Sequence, residues 1–539
     1  MLDLRGNCRT SGEQRRKEAG NVFGEGTRTP ISITILVRKP NKNEADAGRI
    51  FYRDIGDYLS CEEKRKAVKE LHSILSSEMK LSSITPNEAG DWINQRDGLF
   101  ETFIPLAPEK KYDLSAYAFF LTDSNGIQTN RDSWVYNFSK TLLSENVRRS
   151  LAFYAEQLGA FNAVFGNLGD RTFNGARNLP CSRYGVMPRS ALNNLSPVDR
   201  KKAVDDFIDT DPRKFSWTRS VKGCLARSLP ILYNSNNIRV AHYRPFCAVH
   251  LYFDSRYNEY PNQIPKLFPT PQSGNKVICV SGVGVTKEFS CIMVDQIPDL
   301  ELIGKSQCFP LFWYEKVDRE QLGLFDRGQD EYRRHSGISD FILKRAREDY
   351  GPKVTDEDVF YYVYGLLHSE DYRRRFSNDL KKTLARVPLV PDVSDFRAFV
   401  KAGRKLAELH LNYEAGPLCD RLIITGDTTK CRVVKMRFAS KDDKGTILFN
   451  DNIKIENIPM AAYDYIVNGK SAVEWLMERY AVTTNPDSGI INDPNAWSDN
   501  PRYILDLLSR VIQMSVETMK IVAGLPKFDF SMGYRPIVD

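Results

Sequence analysis

Several features that define particular protein classes are missing from this sequence. No Cys-x-x-Cys pair occurs among the ten cysteines, which are scattered along the chain. This argues against a zinc site and against a secreted disulfide scaffold. The six histidines show no metal-ligand spacing either, so no metal site is predicted.

Long apolar runs are missing as well. No stretch approaches the length of a transmembrane helix, and the N-terminus is too charged for a signal peptide. The chain is therefore predicted to be cytoplasmic and to have no membrane partner.

The charge balance is mildly basic. The 539 residues include 76 Lys and Arg against 69 Asp and Glu, a net charge of +7. With 42% hydrophobic and 27% charged residues, the chain has the composition of a globular protein of about two to four domains. This charge permits a nucleic-acid partner without requiring one, and the 25 tyrosines suit base stacking as well as a core.

The pattern of apolar residues predicts a mixed α/β start followed by a large α+β body. The β-branched run Ile31 to Val37 predicts a strand, so the chain opens like the later part of a sheet. Further strands are expected over 214–315 and 420–458, and helices over 58–80, 141–165, 356–383, 393–411, 470–480 and 501–522. One face of the helix at 393–411 is predicted from Phe399, Val400, Gly403, Leu406, Ala407 and His410.

A polar turn followed by aromatic residues stands at residues 126–140, GIQTNRDSWVYNFSK. Trp134, Tyr136 and Phe138 occupy alternate positions, which predicts one buried face of a strand. The polar residues just before them, Asn130, Arg131 and Asp132, are expected to contact a partner, with a pairing of Arg131 and Asp132 that holds the turn as the alternative for Arg131.

Two segments are rich in basic residues. Residues 239–260, RVAHYRPFCAVHLYFDSRYNEY, interleave arginines with aromatics, a combination that can stack on bases and pair with phosphates. The alternative interpretation is a half-buried hairpin with solvated arginines. Residues 371–386, DYRRRFSNDLKKTLAR, place six basic residues over four helical turns. This is a candidate phosphate-contacting face, with an ordinary charged helix as the alternative.

Three stretches resemble catalytic or cofactor motifs but lack a required residue. NGKS has Asp464 where a phosphate-binding loop needs glycine, so Ser471 is predicted to cap a helix. VICVSGVGVTK has Lys287 in place of the third glycine of a dinucleotide fingerprint, which predicts a hairpin turn. NPRY has Arg502 where adenine methyltransferases have a second proline, and Asn500 is interpreted as a helix cap. No catalytic residue is therefore assigned.

Several stretches, taken together and in order, resemble one protein family. They are LDLRGNCRTSGEQRRKEAGNVFGEGTRTPISITILVRKP, GIQTNRDSWVYNF, YRPF, VFYYVYGLLHSEDYRRRFSNDLKKTLARVPLV, AGRKLAELHLNYE and AYDYIVNGKSAVEWLMERY. The chain resembles, over nearly its whole length, the C-terminal part of type ISP restriction–modification enzymes. These are large single-chain bacterial proteins with a nuclease, a helicase-type ATPase, a coupler, an adenine-N6 methyltransferase and a target-recognition domain, in that order.

The resemblance implies a division of the chain into two parts. Residues 1–125 would be the C-terminal part of the methyltransferase domain, an α/β remnant of a Rossmann-like sheet without the cofactor loop and the Asn-Pro-Pro-Tyr motif. Residues 126–539 would form a large α+β target-recognition domain. No cofactor is expected in this chain, whereas the complete enzyme would use S-adenosylmethionine, ATP and Mg²⁺. The chain is expected to be inactive in methyl transfer on its own.

The resemblance also implies roles for individual residues. Phe23, in NVFGEG, would stack on an extruded adenine, because a flipped base needs aromatic faces to replace those of the duplex. The alternative is that Phe23 plugs the end of the sheet. Contacts with double-stranded DNA are predicted for Asn130, Arg131, Arg239, Tyr243, Arg244, Arg373, Arg374 and Arg375.

The predicted function is recognition of a DNA sequence, which in the complete enzyme would position an adenine for N6 methylation. One alternative is half of a split adenine-specific methyltransferase, active only with an upstream chain that carries the nuclease, ATPase and methyltransferase motifs. Another alternative is a degenerate fragment without function.

Overall fold

A computed structural model describes residues 1–10, 12–24, 26–38, 48–108, 110–115, 117–165, 196–317, 331–440 and 443–530. The architecture is mixed α and β, with several small sheets. None of the described helices is both long and apolar enough to cross a bilayer.

The N-terminal part is built around one small sheet. Its elements are β1 (Leu2–Asp3), α1 (Gly12–Glu18), β2 (Ser32–Ile33), β3 (Ile50–Asp54), α2 (Cys61–Glu70), β4 (Ser82–Ile84), α3 (Gly98–Glu101) and β5 (Ile104–Pro105). The strand order is β2-β1-β3-β4, with β1 and β3 parallel and both outer pairs antiparallel. One parallel pair is compatible with a Rossmann remnant, which stays a prediction.

The strand predicted for Ile31 to Val37 is much shorter in the structure. Only β2 pairs with the sheet, and it lies at the sheet edge. The apolar residues beyond it are largely exposed, 60% for Ile35, 82% for Leu36 and 83% for Val37. This apolar run is therefore exposed to solvent, and no element of the described chain covers it.

The middle of the chain contains most of the strands. Its elements are β6 (Ser124–Asn125), α4 (Asp132–Val135), β7 (Tyr136–Asn137), α5 (Lys140–Phe165), α6 (Pro197–Phe207), α7 (Arg219–Ala226), β8 (Ile238–Arg244), β9 (Cys247–Tyr252), α8 (Ile264–Leu267), β10 (Val277–Val280), β11 (Cys291–Val294), β12 (Ile297–Pro298), β13 (Gln307–Pro310) and β14 (Phe312–Lys316). They form two four-stranded sheets, β11-β10-β13-β6 and β12-β8-β9-β7. Of the range 214–315 that was predicted to be rich in strands, the part from Ile238 onward contains them, whereas Arg219–Ala226 forms helix α7.

The C-terminal part is mainly helical. Its elements are β15 (Tyr332–Ser336), α9 (Asp340–Tyr350), α10 (Asp356–Leu366), α11 (Glu370–Arg375), α12 (Asp379–Lys382), β16 (Arg386–Val387), α13 (Val393–Leu411), β17 (Ile423–Gly426), β18 (Arg437–Phe438), β19 (Ile447–Leu448), β20 (Ile453–Glu456), β21 (Ile466–Val467), β22 (Lys470–Ser471), α14 (Ala472–Arg479), β23 (Thr483–Thr484), β24 (Ile491–Asn492) and α15 (Tyr503–Ala523). The helix predicted over 356–383 is interrupted, because Ser369 caps a new helix with its side chain.

Strand β10 separates the two large hydrophobic cores. Val277 and Cys279 belong to the core that also contains α5, β8, β9 and α15. Ile278 and Val280 belong to the core formed with α9, α10 and α13. Successive side chains of a strand point to opposite faces, so this strand is buried on both faces. This explains why its sequence, VICV, is continuously apolar.

The second core also bears on the predicted boundary at residue 125. Phe100, Phe103 and Phe120 pack in it beside Phe376 and Phe309. Hydrophobic packing alone would divide the chain nearer to residue 97, and the boundary at 125 stays a prediction.

Helices α10 and α13 cross at two glycines. A β-carbon on Gly403 would overlap the backbone carbonyl of Tyr361, and one on Gly365 would overlap that of Phe399. The helices therefore approach closely enough for backbone to meet backbone. The face of α13 predicted from the sequence is buried, at Phe399, Val400, Gly403, Leu406, Ala407 and His410.

Candidate nucleic-acid interface

The turn before α4 brings polar residues to the surface. Asn130 is exposed and has a φ of 53°, a left-handed conformation that asparagine adopts more easily than most residues. Its Oδ1 accepts a hydrogen bond from Gln128 Nε2 at 2.9 Å. Asn130 is thus exposed on a polar turn, and its contact with DNA stays a prediction.

Arg131 lies in the interior, contrary to its predicted surface position. The residue is 3% exposed, and its Cζ is 3.8 Å from the ring centroid of Tyr257 and 4.5 Å from that of Phe215. Its Nη1 reaches the carbonyl oxygen of Tyr257 at 3.5 Å, and Nε and Nη2 have no hydrogen-bond partner among the described residues. Burial lowers the pKa of this guanidinium. The two aromatic rings hold Arg131 away from any surface that a phosphate could reach.

The aromatic residues after Arg131 are buried, but they do not form one strand. Asp132–Val135 is a single helical turn, and only Tyr136 and Asn137 pair with β9. Trp134, Tyr136 and Phe138 are nonetheless buried. The helical turn arises because Asp132 is held by the Thr129 hydroxyl and by Tyr243, whose Oη donates to Asp132 Oδ2 at 2.9 Å.

Asp299 connects β7 to β8, because it contacts Tyr136 of β7 and pairs with Arg244 of β8. Arg244 Nη1 lies 2.8 Å from Asp299 Oδ1, and Tyr136 Oη donates to Asp299 Oδ2 at 2.8 Å. Burial raises the pKa of Asp299 to about 7, although Arg244 opposes the shift. The guanidinium of Arg244 also covers the ring of Tyr243 at 3.9 Å. Asp132, Tyr136, Tyr243, Arg244 and Asp299 therefore form one network, called here the Asp299 network.

A cleft of about 340 Å³ opens beside the Asp299 network. Its apolar lining includes Tyr136, Phe138, Cys247, Pro486 and Ile490, and its polar lining includes Asp132, Ser133, Tyr243, Arg479, Thr483, Thr484, Asn485 and Asn492. Thr483 and Thr484 are exposed on the β23–β24 hairpin. Hydroxyl, amide, carboxylate and guanidinium groups thus surround an aromatic floor.

The β23–β24 hairpin is attached to the other side of the cleft by two hydrogen bonds. Asn137 Nδ2 donates to the carbonyl oxygen of Ile491, and the backbone N–H of Phe138 donates to Asn492 Oδ1, both at 2.9 Å. This hairpin was not predicted from the sequence to be part of the site. Its sequence, TTNPDSGIIN, carries a turn signal but nothing that indicates its distant partner.

A second pair, near Asn130, was not predicted from the sequence either. Arg219 is exposed, and its Cζ lies 4.9 Å from the ring centroid of Tyr260. Tyr260 in turn pairs through its backbone with Gln128. An arginine on an exposed tyrosine, beside Asn130, is the kind of surface that stacks on bases and contacts phosphates.

Arg239 and the arginines of α11 have structural partners. Arg239 donates to the carbonyl oxygens of Phe268 and Thr270, and burial lowers its pKa. Arg373 contacts Cys291 Sγ at 3.2 Å, and Arg375 pairs with Asp97 at 2.7 Å. Arg374 is 78% exposed and pairs with Asp371 at 2.5 Å. The α11 partners lie around the second core, so α11 and the cleft are separate surfaces.

Phe23 is exposed in the N-terminal part, with 67% of its surface accessible. Its backbone N–H donates to Asn21 Oδ1 at 3.0 Å, so the turn is fixed while the ring faces solvent. The ring does not plug the end of the sheet, and its stacking on adenine stays a prediction. Within the described residues, no cluster of histidine, cysteine and acidic side chains is arranged to hold a metal ion.

Comparison with known proteins gives a consistent result. A family model described as the Type ISP C-terminal specificity domain matches residues 118–507. The chain resembles a nuclease-deletion mutant of the Type ISP restriction-modification enzyme LlaGI in complex with a DNA substrate mimic, at 36% identity and a TM-score of 0.80. That match covers 98% of this chain and 43% of that one.

Two further solved structures are similar. The ATP-dependent Type ISP restriction-modification enzyme LlaBIII bound to DNA matches at 32% identity and a TM-score of 0.79, covering 98% of this chain and 31% of that one. A DrdV–DNA complex matches at 26% identity and a TM-score of 0.75, covering 97% of this chain and 47% of that one. The chain thus spans less than half the length of each of these proteins. No curated protein matched it.

Proposed function

The chain belongs to the type ISP restriction–modification family, and from this premise we propose that it recognises a specific DNA sequence. The observation that carries the proposal is the specificity-domain match over 118–507. The similar solved structures support it, since each is a complex with DNA or with a DNA substrate mimic. In this proposal, residues 126–539 are the target-recognition domain and residues 1–125 are the end of a methyltransferase domain. A cytoplasmic location belongs to the same proposal.

The cleft beside the Asp299 network is the proposed site of sequence readout. Base edges in the major groove present patterns of hydrogen-bond donors and acceptors, and hydroxyl, amide and carboxylate side chains can read them. Such groups line the cleft. The exposed hydroxyls of Thr483 and Thr484 stand on a hairpin that can enter a groove. Tyr243 and Arg244, predicted from the sequence to contact DNA, are proposed to hold this rim in place.

Phosphate contacts are proposed for the surface beside the cleft. Asn130 and Arg219 are exposed there, and a nucleic-acid backbone approaching the turn would meet both, with the phosphate competing with Glu259, which lies 3.1 Å from Arg219. Arg374 is the exposed candidate on α11. Arg131, Arg239, Arg373 and Arg375 are proposed to act through the packing that they hold together rather than through direct contact with DNA.

In a complete enzyme, recognition by this chain would position an adenine for N6 methylation, with Phe23 stacked on the extruded base. The expected cofactors of that enzyme are S-adenosylmethionine, ATP and Mg²⁺, and no described residue of this chain is assigned to them. The chain alone is proposed to be inactive in methyl transfer.

Selection from a pool of random duplexes tests the proposal. The purified chain is mixed with the pool at low and at moderate salt, and the retained duplexes are sequenced. An enriched motif that contains adenine is the expected result. Salt-sensitive retention without enrichment would mean that only phosphate contacts operate, and no retention would favour a degenerate fragment.

The double variant T483V/T484V locates the readout. Valine keeps the shape and the strand preference of threonine but removes both hydroxyls. The enriched motif is expected to change or weaken while the salt dependence of binding stays the same. The matched control is T425V, on the exposed strand β17 of another sheet, and it should leave the motif unchanged.

One observation favours a second candidate function, half of a split methyltransferase. Ile35, Leu36 and Val37 expose an apolar run next to a sheet edge, as expected where another part of the sheet would pack. Co-purification of this chain with the product of the reading frame immediately upstream would test it. A complex that methylates adenine supports this function, and two proteins that elute separately and lack activity argue against it.

A further inference from the structure

The exposed side of α13 carries a row of basic residues. Arg397, Lys401 and Lys405 are spaced four residues apart, so they lie on one face of the helix. All three are exposed, while the opposite face of α13 packs into the second core. At a rise of 1.5 Å per residue, the row extends over about 12 Å.

These cations have no acidic partner in the described part of the chain. Among the described residues, no ion pair or hydrogen bond connects Arg397, Lys401 or Lys405 to another side chain, and the same holds for Lys353 in the loop before α10. Their neighbour Arg404 shows the contrast, because it is bridged to Glu357 at 3.1 Å and to Asp358 at 2.9 Å. Like charges four residues apart destabilise a helix. Because these positive charges repel each other and no carboxylate of the described chain offsets the repulsion, they indicate an anionic partner.

The row borders a concave surface. A cavity of about 650 Å³ lies between α13 and the end of α9, with Tyr350, Val354, Phe396 and Val400 in its apolar lining. The basic members of the lining are Lys353, Arg397, Lys401, Arg404 and Lys405. The rings of Tyr350 and Phe396 stack at 3.9 Å and keep the floor rigid.

We infer that Lys353, Arg397, Lys401 and Lys405, here called the cationic row, contact consecutive phosphates of a DNA strand. Cations four residues apart lie about 6 Å apart along the helix, so Arg397, Lys401 and Lys405 can each face a different phosphate of one strand. A single nucleotide would instead favour cations gathered around one point. The inference rests on the proposed function, since it requires that the chain binds DNA, and it adds a phosphate contact separate from the cleft.

The triple variant R397Q/K401Q/K405Q tests the inference in the full chain. Glutamine keeps most of the side-chain length and has nearly the helix propensity of lysine and arginine. Binding to one duplex is measured at several salt concentrations. The slope of log affinity against log salt is expected to fall by about 0.9 for each phosphate that the variant no longer neutralises, so by up to about 3.

A matched control removes three other exposed lysines. K201Q/K202Q/K435Q lowers the net charge by the same amount as the triple variant, but its substitutions lie in α6 and in a loop after β17. Its slope is expected to stay close to that of the unchanged chain. The single variant K401Q gives a second test, with an expected change of about 0.9 in slope. Thermal unfolding at low salt should show R397Q/K401Q/K405Q to be no less stable, because a repulsion has been removed.

The outcomes separate the two proposals. An enriched DNA motif together with unchanged slopes in both row variants overturns the cationic row and leaves the proposed function intact. A reduced slope without an enriched motif supports the row and contradicts sequence recognition. ATP binding that is abolished in the triple variant, with DNA slopes unchanged, would overturn the row in favour of a nucleotide site. Absence of DNA binding by the unchanged chain overturns both.

Discussion

At the residue scale, the two buried arginines next to the cleft differ in their partners. Arg244 has a carboxylate at 2.8 Å, whereas Arg131 has two aromatic rings and one long hydrogen bond. Taking a charge out of water costs several kcal/mol, and a cation–π contact returns about 2 kcal/mol when desolvated. Burial of the Arg131 guanidinium therefore costs more free energy than its own contacts return, and the packing around it must supply the difference.

The variant R131M is therefore expected to be at least as stable as the unchanged chain, with a gain in unfolding free energy of about 1–3 kcal/mol. Urea denaturation measures it. The salt slope of DNA binding should also stay unchanged, because the guanidinium does not reach the surface. A clear loss of stability, or a slope reduced by about 0.9, would show that Arg131 has a charged partner in solution.

Asp299 predicts a pH dependence. Its folded pKa of about 7 lies above the ordinary value of about 3.9 for aspartate. The folded state therefore holds the proton more tightly, and stability falls as pH rises between these two values. Relative to D299N, the unchanged chain should lose up to about 1.4 kcal/mol per pH unit in this window.

Urea denaturation of both proteins at pH 5 and pH 7 checks this expectation. Asparagine keeps an acceptor oxygen for Arg244, its amide N–H can donate to Tyr136 Oη, and its side chain does not titrate, so the comparison isolates the titration. If the difference in unfolding free energy between the unchanged chain and D299N is the same at both pH values, the expected pH dependence is contradicted. Contributions of distant carboxylates cancel in the comparison.

Some residue positions could be predicted from the sequence and others could not. The buried face of α13 followed from the helical spacing of apolar residues. Burial of Trp134, Tyr136 and Phe138 also followed from their apolar character. The interior position of Arg131 could not be predicted, because Tyr257 and Phe215, which enclose it, are more than 80 residues away.

At the scale of elements, the crossing of α10 and α13 depends on the absence of two side chains. G403A would force the helices apart and is expected to cost about 1–3 kcal/mol of unfolding free energy, the usual range for overpacking. The matched control is G159A, on the exposed side of α5, where the new methyl group meets no neighbour. That change should stabilise by up to about 1 kcal/mol.

Thermal unfolding of the two variants separates overpacking at the crossing from the higher helix propensity of alanine, since both variants exchange a helical glycine for alanine. A destabilised G159A or a neutral G403A would contradict this account of the crossing. The helices themselves were predicted from their apolar spacing, but their close approach was not. A glycine inside a helix can have several roles, and its role in a close helix–helix contact is recognised only when the partner helix is known.

The helix cap at Ser471 was predicted from NGKS, and the structure confirms it with a full capping box. Its side chain accepts from the Glu474 backbone, and the Glu474 carboxylate accepts from the Ser471 backbone. S471A is expected to cost about 1 kcal/mol of unfolding free energy. The measurement is thermal unfolding, and a change within about 0.3 kcal/mol would mean that the cap is replaced by water.

At the scale of the whole molecule, the exposed apolar run at the N-terminal sheet predicts self-association. Leu36 and Val37 are more than four-fifths exposed next to an edge strand. The double variant L36S/V37S should reduce concentration-dependent association in sedimentation velocity. L75S is the control, because Leu75 is also exposed but lies outside the run. Identical sedimentation of L36S/V37S and the unchanged chain would contradict the prediction.

The family and the overall class could be predicted because many stretches in order contribute to the resemblance. The cleft could not, because its two sides come from distant parts of the chain. The hydrogen bonds of Asn137 and Phe138 to the β23–β24 hairpin span 354 residues. Periodicity and turn signals describe local conformation, and they contain no information about such a pairing.

The same 354-residue separation has a consequence during protein synthesis. Domains fold as they emerge from the ribosome, at about 5–20 residues per second, and long-range contacts must wait for their later partner. Strand β7 is translated long before the β23–β24 hairpin, so the first wall of the cleft exists well before the second. A nascent chain therefore cannot close the cleft until the β23–β24 hairpin has been made.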